Sequence, residues 1–315
     1  MAVVDTGTRP DAVRGRSRGP QTPSARRRRQ ALIAWMFALP FVAIFAVFML
    51  VPLISSFVMS FTDFTSRDVQ DPTAVEFVGI KQYLDLFADP QFLRSMLNTA
   101  YFVVVGIPLT MAVALLLAVA LNNGIKRFRT VFRVGFYTPV VTSIVAVAVV
   151  WRFILQPDGL LNEVLATVGI HGPDWLNDQA WAMPSLILMA VWRNMGTLMI
   201  IFLAGLQTVP AEMLEAAAVD GANAWKRFTR ITIPTIRPTL LLGAVLLSVG
   251  FLQFFEEPFV MTKGGPLDST LSISYFTYNQ FGFGKYGTAS AASYVLFVAI
   301  ALLSLVQFRA LRSKD

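Results

Sequence analysis

The sequence predicts an all-α integral membrane protein with six transmembrane helices. Three observations predict it. Hydrophobic residues make up 55% of the chain, and mean hydropathy is +0.60. Charged residues make up only 14%, against roughly 25% in an ordinary soluble domain, which is too little polar surface for a soluble fold. The charges also gather between uncharged runs near the length of about 20 residues that a helix needs to cross a bilayer.

Residues 1–30 read as a disordered basic tail, with Arg9, Arg14, Arg16, Arg18 and the run Arg26 to Arg29 set among Pro, Gly, Ser and Thr. The following run stays uncharged from Ala31 to Thr62. It is longer than the roughly 7–15 residues of a secretory core, so it reads as an uncleaved first span at about 31–59. The second span lies between Arg94 and Lys126. The third lies between Arg133 and Arg152, and the fourth at roughly 181–206, interrupted by Arg193. The fifth follows Pro238 and ends near Thr262, and the sixth lies between Lys285 and Arg309. Residues 31–315 form one six-helix domain, since no loop is long enough for another core.

An even number of spans puts both termini on one side. With the termini inside, the inner segments hold 19 Lys and Arg against 5 outside, as the positive-inside rule requires. The net charge of +7 is thereby explained without a nucleic-acid partner. The chain is expected in the bacterial cytoplasmic membrane with both termini cytoplasmic.

Several chemistries are excluded. There is no cysteine for a disulfide, a thiolate nucleophile or a metal site, and His171 is the only histidine. No GxxxxGK[ST] phosphate loop occurs, and Gly264-Gly265 is followed by Pro266, which has no N–H to offer a phosphate. No GxSxG elbow occurs. The chain is therefore expected to have no catalytic residues and to bind no cofactor.

Polar groups inside the spans are costly and mark candidate pathways. Arg193 lies within the fourth span. Gln253, Glu256 and Glu257 lie near the outer end of the fifth, with Phe254 among them. Two readings stand side by side: the carboxylates reach the interface and Arg193 pairs with one of them, or these groups line a solute pathway. Asn98, Arg193, Asn194, Gln253, Phe254, Glu256 and Glu257 are the candidate set. The carboxylates sit toward the outside and the mid-span charge is cationic, so no proton relay is evident. That weakens the alternative of an ion- or proton-coupled secondary carrier.

Residues 207–238 carry the most specific pattern. Thr208 and Pro210 suit a helix start, with Glu212 and Glu215 near its positive end. Ala216, Ala217 and Ala218 favour helix and leave little bulk. Asp220-Gly221 interrupts it. A second stretch sets Trp225, Phe228, Ile231 and Ile233 against Lys226, Arg227 and Arg230, with Pro234 and Pro238 expected to end it. On chemistry alone, a helix docked on a partner and a helix lying on lipid are equally good readings.

The spacing Glu215-Ala216-Ala217, Gly221, Ile231-Thr232-Ile233-Pro234 resembles the cytoplasmic signature of permease subunits of ABC importers. Phe77-Val78-Gly79, Leu97-Asn98-Thr99, Gly159-Leu160-Leu161-Asn162, Ala204-Gly205-Leu206-Gln207 and Met261 to Pro266 are similar to carbohydrate permeases of the maltose-transporter type. At Glu256-Glu257-Pro258 such permeases often carry an aspartate first. The resemblance spans about residues 31–310. It implies a membrane subunit of a binding-protein-dependent sugar importer, paired with a second, homologous permease expected to be a different chain. It also implies an extracytoplasmic sugar-binding protein or lipoprotein, and two ATPase subunits that use ATP and Mg. The cytoplasmic coupling helix between helices four and five would seat in the ATPase through Glu215, Ala216, Ala217, Asp220, Gly221, Ile231 and Pro234.

Overall fold

A computed structural model describes residues 25–71, 74–123 and 128–311. It divides into two compact units, Met1–Ser55 and Ser56–Asp315. Among the described residues the chain is helical, with no β-strand beyond an isolated bridge between Thr62 and Phe77.

In the first unit, α1 (Ala25–Phe45) continues through a π-helical turn (Ala46–Leu50) into α2 (Val51–Met59). Residues 1–24 of the expected tail lie outside the described residues. Residues 25–30 are already helical, so the first helix begins before the boundary at residue 30. The segment is apolar and its large hydrophobic side chains are exposed, as on a helix that faces lipid.

The second unit is built around α8 (Ala182–Leu206), which packs chiefly on α4 (Pro90–Asn123) and also on α5 (Arg129–Val141) and α12 (Arg237–Leu252). Met189, Ala190, Leu198, Met199 and Phe202 of α8 are fully buried. Small residues let the helices approach closely, the usual packing device where lipid removes the hydrophobic driving force. At Gly196 a Cβ would collide with the carbonyl of Phe136 on α5. The last helix, α14 (Tyr286–Leu311), lies against α12, and Gln307 Nε2 donates to Ser248 Oγ at 2.6 Å.

Among the described residues, four helices are long and apolar enough to cross a membrane, and they are the expected first, second, fourth and sixth spans. The other two expectations need correction. The third span is not one straight helix: α5 and α6 (Ile144–Ile154) meet at a 100° bend. Thr142 and Ser143 are extended there, with ψ of 146° and 127°. Pro139 lacks an N–H and its ring crowds the carbonyl four residues back. The Thr138 and Thr142 hydroxyls donate back to Val134 O and Thr138 O at 2.8 and 3.0 Å, a bond that bends helices. The fifth span does not run unbroken to Thr262. α12 ends at Leu252, the chain opens at Gln253–Phe255, and helix resumes before a π-helical turn, Pro258–Thr262. Pro258 excludes the carbonyl of Phe254 in the same way.

The connecting segments also hold short helices that span-counting does not reach: α3 (Lys81–Ala88), α7 (Leu160–Thr167) and α13 (Ile273–Gly282). The last starts on Ser272, whose Oγ accepts from Tyr275 N at 3.1 Å.

The Gly196 contact yields a test. Gly196→Ala forces α5 off α8 and is expected to cost about 1–3 kcal/mol, read as a lower Tm of the detergent-solubilised protein. Gly250→Ala on α12, where nothing lies within 4 Å, is expected to leave Tm unchanged. Equal behaviour of the two variants contradicts the packing described.

Candidate functional site

Two groups of residues stand at opposite ends of the Ser56–Asp315 unit. One is a basic end, where α4 and α8 finish. The other is an acidic-loop end, formed by residues 60–71, 74–89, 153–180 and 263–285.

At the basic end, Pro210 sits in extended conformation (ψ 129°) and starts α9 (Ala211–Val219). Glu212 lies in the first turn, where the helix end favours an acid. The helix ends in a paired closure: Ala222 N donates to Ala217 O at 2.8 Å and Gly221 N to Ala218 O at 3.1 Å. This closure requires a left-handed residue, and Gly221 has φ +78° with open space around it. The chain then restarts at Asn223, whose Oδ1 accepts from Lys226 N at 2.8 Å, and runs through α10 (Ala224–Arg227), a π-helical turn (Phe228–Thr232) and α11 (Ile233–Thr235). Helix thus passes through Pro234 instead of ending there, and a 67° bend leads into α12.

Glu215, Ala216, Asp220, Gly221 and Pro234 are exposed, and Ala217 and Ile231 are half-buried. Met213, Val219 and Trp225 are exposed apolar side chains beside them, with Val219 at 89%. This nine-residue helix has a small-residue surface and an exposed apolar rim, and it contributes no buried residue to the core.

The second group lies where α12 breaks. Glu257 is buried, and both Arg193 and Glu256 are close enough to act electrostatically on its carboxyl. Glu257 Oε2 and Arg193 Nε are each buried without a hydrogen-bond partner. An acidic and a basic group therefore share one interior between α8 and the turn after the break, where an isolated charge would be costly. Gln253 is exposed at the break and Glu256 half-buried.

The remaining candidates have other placements. Phe254 is buried, its ring stacked on Phe102 at 3.9 Å with a 2° interplanar angle. Asn194 Nδ2 donates to Ala190 O within its own helix at 2.8 Å. Asn98 Nδ2 donates to Asp268 O at 2.6 Å and Leu271 O at 2.9 Å, pinning the 263–272 loop to α4.

Sequence reasoning missed a four-ring group, Phe255, Phe259, Tyr275 and Tyr278, with centroids 5.0–6.4 Å apart. Their spacing of four and three residues was the available signal. It also missed a cavity of about 490 Å³ in the elbow of α5 and α6, lined by Gly135, Thr138, Pro139, Trp151 and Trp192, the two indoles 5.7 Å apart.

Residues 91–313 match the family described as "Binding-protein-dependent transport system inner membrane component". The chain belongs to that family. It is a multi-pass permease subunit of a binding-protein-dependent transporter, not an enzyme. It is similar to the lactose transport system permease protein LacF of Rhizobium radiobacter, with 36% identity over 297 residues, 92% of this chain and 98% of LacF. It is also similar to the arabinooligosaccharides transport system permease protein AraP of Bacillus subtilis, with 33% identity and 87% of each chain covered. Among solved structures, a chain of a bacterial alginate ABC transporter in complex with alginate pentasaccharide-bound periplasmic protein superposes with a TM-score of 0.75 at 24% identity, covering 92% of this chain and 98% of that one. At that identity the likeness shows the fold alone.

The placements separate pathway from architecture. Gln253→Ala and Glu256→Ala are expected to change solute uptake with little change in Tm. Asn98→Ala, which removes the donor to the buried Leu271 carbonyl and one of the two donors to the Asp268 carbonyl, is expected to lower stability by about 1–3 kcal/mol. Transport assays beside thermal unfolding check this, and unchanged uptake in the first two variants removes them from the pathway.

Proposed function

We propose that this permease forms half of the translocation pathway of an ATP-driven importer of glycosidically linked sugars. The observation that carries the reading is the α9 segment. It is exposed, small-faced and redirected by Gly221, with the Glu215 to Pro234 spacing intact. The lactose and arabinooligosaccharide relatives support the substrate class.

In this reading both termini and the basic end are cytoplasmic, as the distribution of Lys and Arg favours. The bent pairs, α5 with α6 and residues 224–235 with α12, each count as one span, making six in all. A second permease, of different sequence, completes the pathway, and an extracytoplasmic binding protein delivers solute to the acidic-loop end. Two ATPase subunits bind ATP and Mg below. α9 is the coupling helix, seated in one of them through Glu215, Ala216, Ala217, Asp220 and Gly221, with Ile231 and Pro234 bracing the arm behind it, which consists of α10, the π-helical turn Phe228–Thr232 and α11. ATP-driven closure of the ATPase pair moves α9, and the arm passes that motion to α12 and the polar group at its break.

The alternative of an ion- or proton-coupled carrier does not use the exposed α9 surface. Gly221→Asp places a side chain at φ +78° and disrupts the closure of α9. Glu215→Lys reverses charge on the exposed face. Both are expected to lower sugar uptake at least tenfold and to reduce co-purification of the ATPase, while the permease level in the membrane stays normal. Normal uptake and normal co-purification in both variants would sink the docking claim.

A further inference from the structure

The arm behind α9 encloses a cavity of about 300 Å³ that the docking role leaves unexplained. It lies level with the last turns of α4 and α8, between them, α9 and the arm. Val119, Leu206, Leu214 and Phe228 contribute apolar wall, Asn122 and Thr232 contribute polar groups, and Arg227 is the charged residue lining it. Among the described residues, no carboxylate lines it. Arg227 Nε is buried without a hydrogen-bond partner. A second guanidinium stands at the rim: Arg129 donates through Nη2 to Asn122 O at 2.8 Å, and its own Nε is also buried and unpartnered. On the outer side of the arm, Trp225 is 71% exposed, and Lys226 and Arg230 are exposed.

A guanidinium in a partly apolar recess calls for an anion with oxygens matched to its fork. The recess lies beside the last turns of two helices long and apolar enough to cross a membrane, a placement within reach of lipid headgroups. A tryptophan and two cations flank it outside, the pattern of an interfacial helix. The volume equals about ten waters of bulk liquid, room for a phosphodiester and its glycerol with the apolar wall against the upper acyl chain. Basic pockets between helices at a membrane surface recognise anionic headgroups by this chemistry. An acidic side chain from a docked protein would match the charge but leave the apolar wall without a partner.

We infer that this cavity is a binding site for one anionic phospholipid, with Arg227 holding its phosphodiester and the arm closing over it. The inference does not rest on the identity of the transported solute. Its occupancy would brace the arm against α4 and α8 at the base of the coupling helix.

The test is native mass spectrometry of the full-length protein, purified and stripped of lipid, then titrated with phosphatidylglycerol or phosphatidylcholine. The expected result is one tightly held phosphatidylglycerol, preferred about tenfold over phosphatidylcholine. R227Q is expected to abolish the preference, and R227K and K226Q to keep it. Should R227Q fail to fold, the wild-type lipid comparison and R227K still decide. Equal retention of both lipids overturns the proposal, as does an unchanged preference in a folded R227Q. Displacement by inorganic phosphate at the same concentration also overturns it, by assigning the cavity to a free anion. Displacement by added ATPase subunits does so by assigning it to a protein carboxylate.

Discussion

Hydrocarbon offers no water to an open N–H or C=O, so every backbone group at membrane depth must find its partner inside the protein. The four long helices meet this requirement within themselves. The two breaks, at Thr142–Ser143 and Gln253–Phe255, have to meet it otherwise. Each lies beside α8 or in contact with its neighbours. At the first, Ser143 O accepts from Val147 N at 3.0 Å, and at the second Gln253 N and Phe254 N donate to Gly250 O and Phe251 O at 3.2 and 3.5 Å. α8 is the most deeply buried of the long helices, and it positions both irregular segments. Arg193, halfway along it, faces the same interior as Glu257, so the costly charge of one segment sits near that of the other.

The same division explains the two ends. The acidic-loop end is braced by short helices and side-chain bonds to backbone, such as Asn98 to the 268–271 loop, and by the bond of Trp175 Nε1 to Asn162 Oδ1 at 2.8 Å. The basic end is looser and presents α9 outward on Gly221. In the proposed importer, the braced end would receive solute and the exposed α9 would take up mechanical work.

Much of the fold was legible because hydropathy and charge are the terms lipid acts on. The second, fourth and sixth spans lie between charges that bound them in the sequence, and α9 announced itself through Pro210, three alanines and Gly221. The breaks were less legible. An apolar run reads the same whether straight or broken, and the polar residues beside the prolines that break these runs, Thr138 and Thr142 at Pro139 and Gln253, Glu256 and Glu257 at Pro258, do not by themselves mark a bend. The placement of the candidate residues was partly legible. The sequence marked Arg193, Glu256 and Glu257, which the fold brings together. It could not tell Phe254, which faces Phe102, from Phe255, which joins the Tyr275 and Tyr278 rings, because adjacent residues at a helix break take faces that periodicity does not assign. Asn98 has the polarity of a pathway residue, but its partners lie some 170 residues away in sequence, beyond any local pattern.

The claim on which the rest depends is that α9 is a docking surface for the motor. The chain contains no cysteine, so the Ala216→Cys variant carries a single thiol. The direct measurement is cross-linking of that thiol, in membranes holding the assembled transporter, to cysteines placed on the ATPase subunit. The account predicts one cross-linked species joining the two subunits, in high yield and changing with ATP. Failure to cross-link, with the introduced thiol shielded by lipid instead, would contradict it.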